Sequence, residues 1–137
     1  MSHQAMSEVE RVSRTHGHPG RARQFAWHIE PISGGLMIEK LHQTVTPGIL
    51  KYSQVERETI LRSLRQQFGT NWFPLANNVE TLRHGTERAG LGMTILAQKP
   101  GDILHAQGAS YLGVVLEESG FLEWNGMHHG IDRKSVV

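Results

Sequence analysis

Nine histidines in a chain of 137 residues are the side chains with the most chemical reach, because imidazole binds metals and moves protons near neutral pH. Two pairs stand out. His16-x-His18 lies in a run of turn formers, Thr15-His-Gly-His-Pro-Gly20, and His128-His129 are adjacent near the C-terminus. Neighbouring residues on a strand point to opposite faces, so His128 and His129 cannot share one ion without a bulge. No His-x-x-x-His pair falls on a predicted helix, and no histidine and carboxylate set has zincin spacing. The chain has no cysteine, which removes disulfides, thiolate catalysis and thiolate-bound zinc together. No metal and no cofactor is expected.

Acid–base chemistry needs titratable groups brought together in a cleft. Glu80, His84, Glu87 and His105 qualify by chemistry alone. His84 and Glu87 are three apart and share a face if that segment is helical, but a solvated helix face carries such pairs with no function. Serine-nucleophile motifs of the Gly-x-Ser-x-Gly type, a phosphate-binding P-loop and a helix-opening Gly-x-Gly-x-x-Gly are absent. A small-molecule-binding or enzymatic domain would need a pocket, and Trp27, Trp72, His84 and Trp124 are the aromatic and histidine residues to line it.

The elements that must position these groups are read from pattern. Residues 1–24 are polar, with Arg11, Arg14, Arg21 and Arg23 against Glu8 and Glu10, and read as a flexible N-terminal arm ahead of a single domain over 25–137. Phe25 to Glu30 alternates, Gly34-Gly35 breaks, and Leu36 to Leu41 resumes, which reads as a hairpin. Thr46-Pro-Gly48 is a turn. Ser53-Gln-Val-Glu56 is a capping box in which serine and glutamate exchange hydrogen bonds. Behind it Ile60, Leu61, Leu64 and Phe68 share one helical face, and Gly69 stops the helix. Trp72 and Phe73 together read as a plug of the core. Val79 to Arg88 reads as a short helix, and Ala89 to Gly92 as an irregular connection.

Residues 93–116 decide the fold. Thr94 to Lys99 is either a short helix ended by Pro100-Gly101 or a strand entering a turn. The helical case is favoured by Glu117-Glu118-Ser119-Gly120, a poor strand end and a good helix end. There Gly120 suits the left-handed position, and Phe121 folds back on Leu116 in a Schellman stop. Phe121 to Trp124 has strand composition, and Asn125-Gly126 is a two-residue hairpin signal. The pattern Leu112-Gly-x-x-Leu116-x-x-x-Gly120-Phe121 followed by a hairpin resembles the end of a winged-helix domain. The resemblance implies that residues 94–99 form the second core helix, that the helix opening near Ala109 is the third, and that the hairpin is the wing.

The fold class expected is α+β, an N-terminal β-hairpin with a covering helix and a winged-helix-like C-terminal unit. A β-sandwich or barrel with one covering helix is the alternative. Formal charge is +1, so no overall pull toward nucleic acid or membrane is visible. The last helix carries no basic residue and ends in two glutamates, unlike a groove-reading helix. The function expected is a non-enzymatic interaction module that binds protein through the last helix and wing, using Gln107, Tyr111, His128, His129, Arg133 and Lys134. Nucleic-acid binding would be weak and non-specific. Many large aromatics and open hairpin edges suggest a homo-oligomer. No apolar run approaches the roughly 18 residues of a membrane span, and no secretory core is seen, so the expected location is cytoplasmic.

Overall fold

The computed structural model describes residues 9–41 and 48–136. Strands β1 (Arg11–Arg14), β2 (Gln24–Ile29), β3 (Leu36–Lys40) and β4 (Ile49–Tyr52) form an antiparallel sheet in that order. Trp27 stands opposite Arg11 and Ile38, and Leu36 opposite Ile29 and Tyr52. Alternation then puts Phe25, Trp27, Leu36, Ile38, Leu50 and Tyr52 on one face, where all are buried. Val12 and Ile49 lie on the other face and are exposed. The expected hairpin is the central strand pair, closed by Gly34 N–H to Glu30 O at 2.9 Å.

Helix α1 (Gln54–Phe68) follows directly on β4. Ser53 caps it, Ile60 and Leu64 are fully buried, and Gly69 at φ 60° ends it. Arg57 bolts the helix to the sheet through Tyr52 O at 2.8 Å and Gly34 O at 2.9 Å. The remaining elements are β5 (Phe73–Pro74), α2 (Val79–His84), α3 (Leu91–Gln98), α4 (Ile103–Gln107), α5 (Ala109–Glu118), β6 (Leu122–Trp124) and β7 (Asp132–Ser135). The second sheet is three-stranded, in the order β5-β7-β6.

The class is therefore α+β, and residues 93–116 are helical rather than strands of a sandwich or barrel. Lys99-Pro-Gly-Asp102 is a junction between helices, with Asp102 Oδ1 accepting from His105 N at 3.2 Å. α5 stops in a Schellman pattern: Phe121 N–H donates to Leu116 O at 2.9 Å and Gly120 N–H to Glu117 O at 3.0 Å, with Gly120 at φ 88°.

Four expectations change. Residues 11–14 of the expected arm form β1, paired with β2, because Trp27 Nε1 donates to Ser13 Oγ at 3.1 Å and Ser13 Oγ donates to Glu118 at 3.0 Å. Asn125-Gly126 does not close a two-residue turn. The wing loop runs over 125–131, where Asn125 Nδ2 donates to Gly130 O at 2.8 Å and Asn125 N–H to Asp132 O at 3.1 Å. Trp72 and Phe73 separate: Phe73 is buried, while Trp72 is 42% exposed, because neighbours along an extended segment face opposite ways. Gly90 to Gly92 opens α3 rather than an irregular connection. The edges of the first hairpin are also covered, since β1 and β4 flank β2 and β3 and become the sheet's edges; in the second sheet β5 covers β7, and β6 remains an edge. Residues 1–8 of the arm and Thr46-Pro47 of the expected turn lie outside the described residues.

Candidate functional site at the Glu56–His105 pair

Half of the capping box forms. Glu56 N–H donates to Ser53 Oγ at 3.0 Å, which satisfies one of the helix's orphan donors. The glutamate side chain turns away from the cap to His105 of α4, with Oε2 and Nε2 2.5 Å apart. A carboxylate only accepts, so His105 Nε2 carries the hydrogen of this bond. Both side chains are nearly enclosed, at 9% and 7% exposure. Enclosing such a pair is costly, since desolvation of two ionisable groups offsets much of their attraction. A local rule broken at such cost makes Glu56 a candidate functional position.

His105 is held from three sides. Asp102 caps its backbone N–H, its carbonyl accepts the Tyr52 hydroxyl at 2.7 Å, and its ring lies 4.3 Å from the Tyr52 ring. Burial, and then the negative charges of Glu56 and Asp102, push the Tyr52 phenol well above its usual range, so Tyr52 stays a neutral donor. Burial draws the Arg57 guanidinium down, against the upward pull of Glu58 and Glu56.

Glu56 opens onto a cleft of about 500 Å³, while His105 stands behind it. The cleft lies between the 30–35 turn, the start of α1 and the end of α3, and Glu30, Ser53, Lys51 and Lys99 share its lining with Glu56. A carboxylate facing such a space, with an imidazole fixed behind it, can accept a hydrogen bond or a proton from a bound molecule. The imidazole then holds its orientation and shares the charge.

The residues proposed from sequence are scattered. Gln107 and Tyr111 line a second cleft, where Tyr111 packs edge-on against Phe25 at 5.2 Å. His128 and His129 line a third and meet the 16–18 segment: His128 Nδ1 lies 2.7 Å from His16 O, and His129 Nε2 2.6 Å from His18 Nε2. Arg133 is 2% exposed, its Nε donating to Glu117 at 2.5 Å. Lys134 lies over the Trp72 ring at 4.6 Å and 3.8 Å from Glu123. The wing therefore presents no basic stripe from these residues. The last helix offers little surface, because Tyr111 through Leu116 are all buried in α5.

Nor do Trp27, Trp72, His84 and Trp124 form a pocket. Trp27 is in the core, His84 lies at the exposed end of α2 3.5 Å from Glu80, and Trp124 stacks on His16 at 3.7 Å. None of the four lines any of the three clefts. Glu87 does not join His84. Against the upward push of burial, bonds from Arg88 N–H, Thr81 and Asn78 N–H hold its carboxyl below the usual range.

His105 is identifiable in sequence by chemistry alone, and Glu56 is hidden by its local role as a cap. No local signal joins residues 49 positions apart. Among the described residues no group of three or more His, Cys, Asp or Glu is placed to hold a metal ion. No helix among them is long and apolar enough to cross a membrane. Comparison with known proteins finds no matching family model, curated protein or solved structure.

Proposed function

We propose that this protein is a small-molecule-binding domain whose site is the cleft over Glu56, with Glu56 and His105 acting as a proton-accepting pair toward a bound organic molecule that presents an N–H or O–H. The observation that carries this reading is the enclosed 2.5 Å Glu56–His105 contact at the wall of a cleft of about 500 Å³. That volume is in the range of small-ligand pockets. Lys51 and Lys99 balance Glu30 and Glu56 in the lining, which suits a polar molecule with both donors and acceptors. A thermal-shift screen of small polar organic molecules tests it. Glu56→Gln keeps the shape and removes the charge, so ligands that stabilise the native protein lose their effect on this variant. The exposed Glu58→Gln serves as the control. Ligands that stabilise both variants alike would overturn the assignment.

The interaction-module reading loses its main surface with the burial of α5. The winged-helix resemblance is favoured by the β5-β7-β6 order and the helices before it, but Arg133 and Lys134 are engaged within the chain, and this does not favour nucleic acid. Self-association is the second reading, favoured by the exposed Val12 and Ile49 on the open sheet face and by the sheet edges at β1 and β4. Light scattering at micromolar concentration decides it: a mass of 15.4 kDa means a monomer and rejects self-association.

A further inference from the structure

The second cleft, about 570 Å³, shares no lining residue with the Glu56 cleft and has a different chemistry. Lys40 is part of its lining. In β3 the positions alternate with Leu36 and Ile38, so Lys40 occupies the core-facing side of the sheet, directly opposite the fully buried Phe25. Such a position ordinarily takes an apolar side chain. The ammonium instead reaches to 5.4 Å from the centre of the Tyr111 ring, and burial lowers the Lys40 pKa. Half-burying a cation is unfavourable unless something compensates it. Among the described residues neither Lys40 nor Arg23 is in an ion pair.

The rest of the lining is rich in donors. Tyr111 brings a phenol that burial pushes upward, against the pull of Arg23, so it remains protonated. Asn77, Gln107 and Ser110 bring carboxamides and a hydroxyl. Asn77 Nδ2 donates to Gln107 O at 2.9 Å, which fixes the wall between β5 and α4. The one carboxylate among the described lining residues, Glu80, is drawn toward Arg83 and His84, each 3.5 Å away.

We infer that this cleft binds an oxyanion, a phosphate or carboxylate group of a small molecule, held by Lys40 and Arg23 with the Ser110 hydroxyl and the neighbouring carboxamides as further donors. The anion supplies a counter-charge that no described carboxylate brings to Lys40. This site is independent of the Glu56 cleft and stands or falls without it.

The test is a thermal-shift and calorimetric titration of the full chain with inorganic phosphate and, separately, with citrate, each against sodium chloride at matched ionic strength. A saturable rise in Tm with phosphate alone assigns a phosphate group, and one with citrate alone assigns a carboxylate. A rise with both assigns an oxyanion site that reads charge rather than geometry. Lys40→Met should raise the Tm of the ligand-free protein, because it removes the half-buried cation, and at the same time lower anion affinity at least tenfold. Arg23→Ala, at an exposed position that does not endanger folding, should lower affinity with little change in the ligand-free Tm. Stabilisation no greater than that by chloride overturns the inference. So does anion binding that Lys40→Met and Arg23→Ala both leave unchanged.

Discussion

Replacing Glu117 by glutamine should be among the most damaging isosteric changes in this protein. Glu117 Oε2 accepts from Arg133 Nε at 2.5 Å, and Oε1 lies 2.6 Å from His16 Nε2. Arg133 is 2% exposed and its Nη1 has no hydrogen-bond partner among the described residues, so none of them is a second acceptor for this cation. Burial already lowers its pKa, with Glu117 working against that shift. Gly113 makes room for the guanidinium, since a Cβ there would come within 2.7 Å of Nε and Nη2. Breaking a buried pair from one side costs about 3–5 kcal/mol, because the remaining charge is left uncompensated. The Glu117 side chain is 14% exposed, which admits some water and places the expected loss at the lower end, about 3 kcal/mol. For a domain of this size that corresponds to roughly 10 °C in Tm. Urea denaturation followed by tryptophan fluorescence measures it, with Trp124, stacked on His16, as a local reporter. Adding Arg133→Met to Glu117→Gln should recover most of the loss, since an apolar pair of similar volume has no charge to leave bare. A loss under about 1 kcal/mol, or a double variant as unstable as the sum of the single ones, would refute the reasoning.

Other perturbations follow from the same geometry. Gly120→Val should cost on the order of 1–2 kcal/mol, seen as a lower melting temperature. No atom crowds a Cβ at Gly120, so the loss comes from its φ of 88° and not from a clash, and Gly120→Asn should cost less. Glu87 has a carboxyl pKa below its ordinary value in the folded state, so its contribution to stability is present above that ordinary value and is lost as pH falls through the depressed one. Acid titration of Glu87→Gln should therefore show a shallower loss of stability below about pH 4.5 than the native protein. A slope unchanged from the native protein would mean that its bonds to Thr81 and Asn78 do not persist in solution.

What was legible in the sequence was local. Ser53 and Gly69 bracket α1 because a cap and a left-handed stop act within a turn of the residues they serve. Gly120 and Phe121 end α5 for the same reason. The helical state of 93–116 was legible in the spacing of Leu112, Val115 and Leu116 and in the helix end at Gly120, while Thr94 to Lys99 alone showed no deciding period. The candidate site was not legible. Glu56 satisfied a local rule on paper, and only tertiary packing brings His105 near enough to take its side chain. Arg133 and Lys134 looked like wing cations because exposure cannot be read from residue type. Glu117 lies 16 positions from Arg133 and 101 from His16, and that pairing turned a candidate binding residue and part of an expected loose arm into packed structure.

The most direct test of the central claim is amide chemical-shift mapping by NMR of a polar fragment library on the full-length protein. The account predicts that binders move the amides of Gly35, Ser53, Glu56 and Lys99 together, and that Glu56→Gln abolishes those shifts while its spectrum otherwise overlays that of the native protein. Binders that map only to other surfaces, or a library with no binder at the Glu56 cleft, would contradict it.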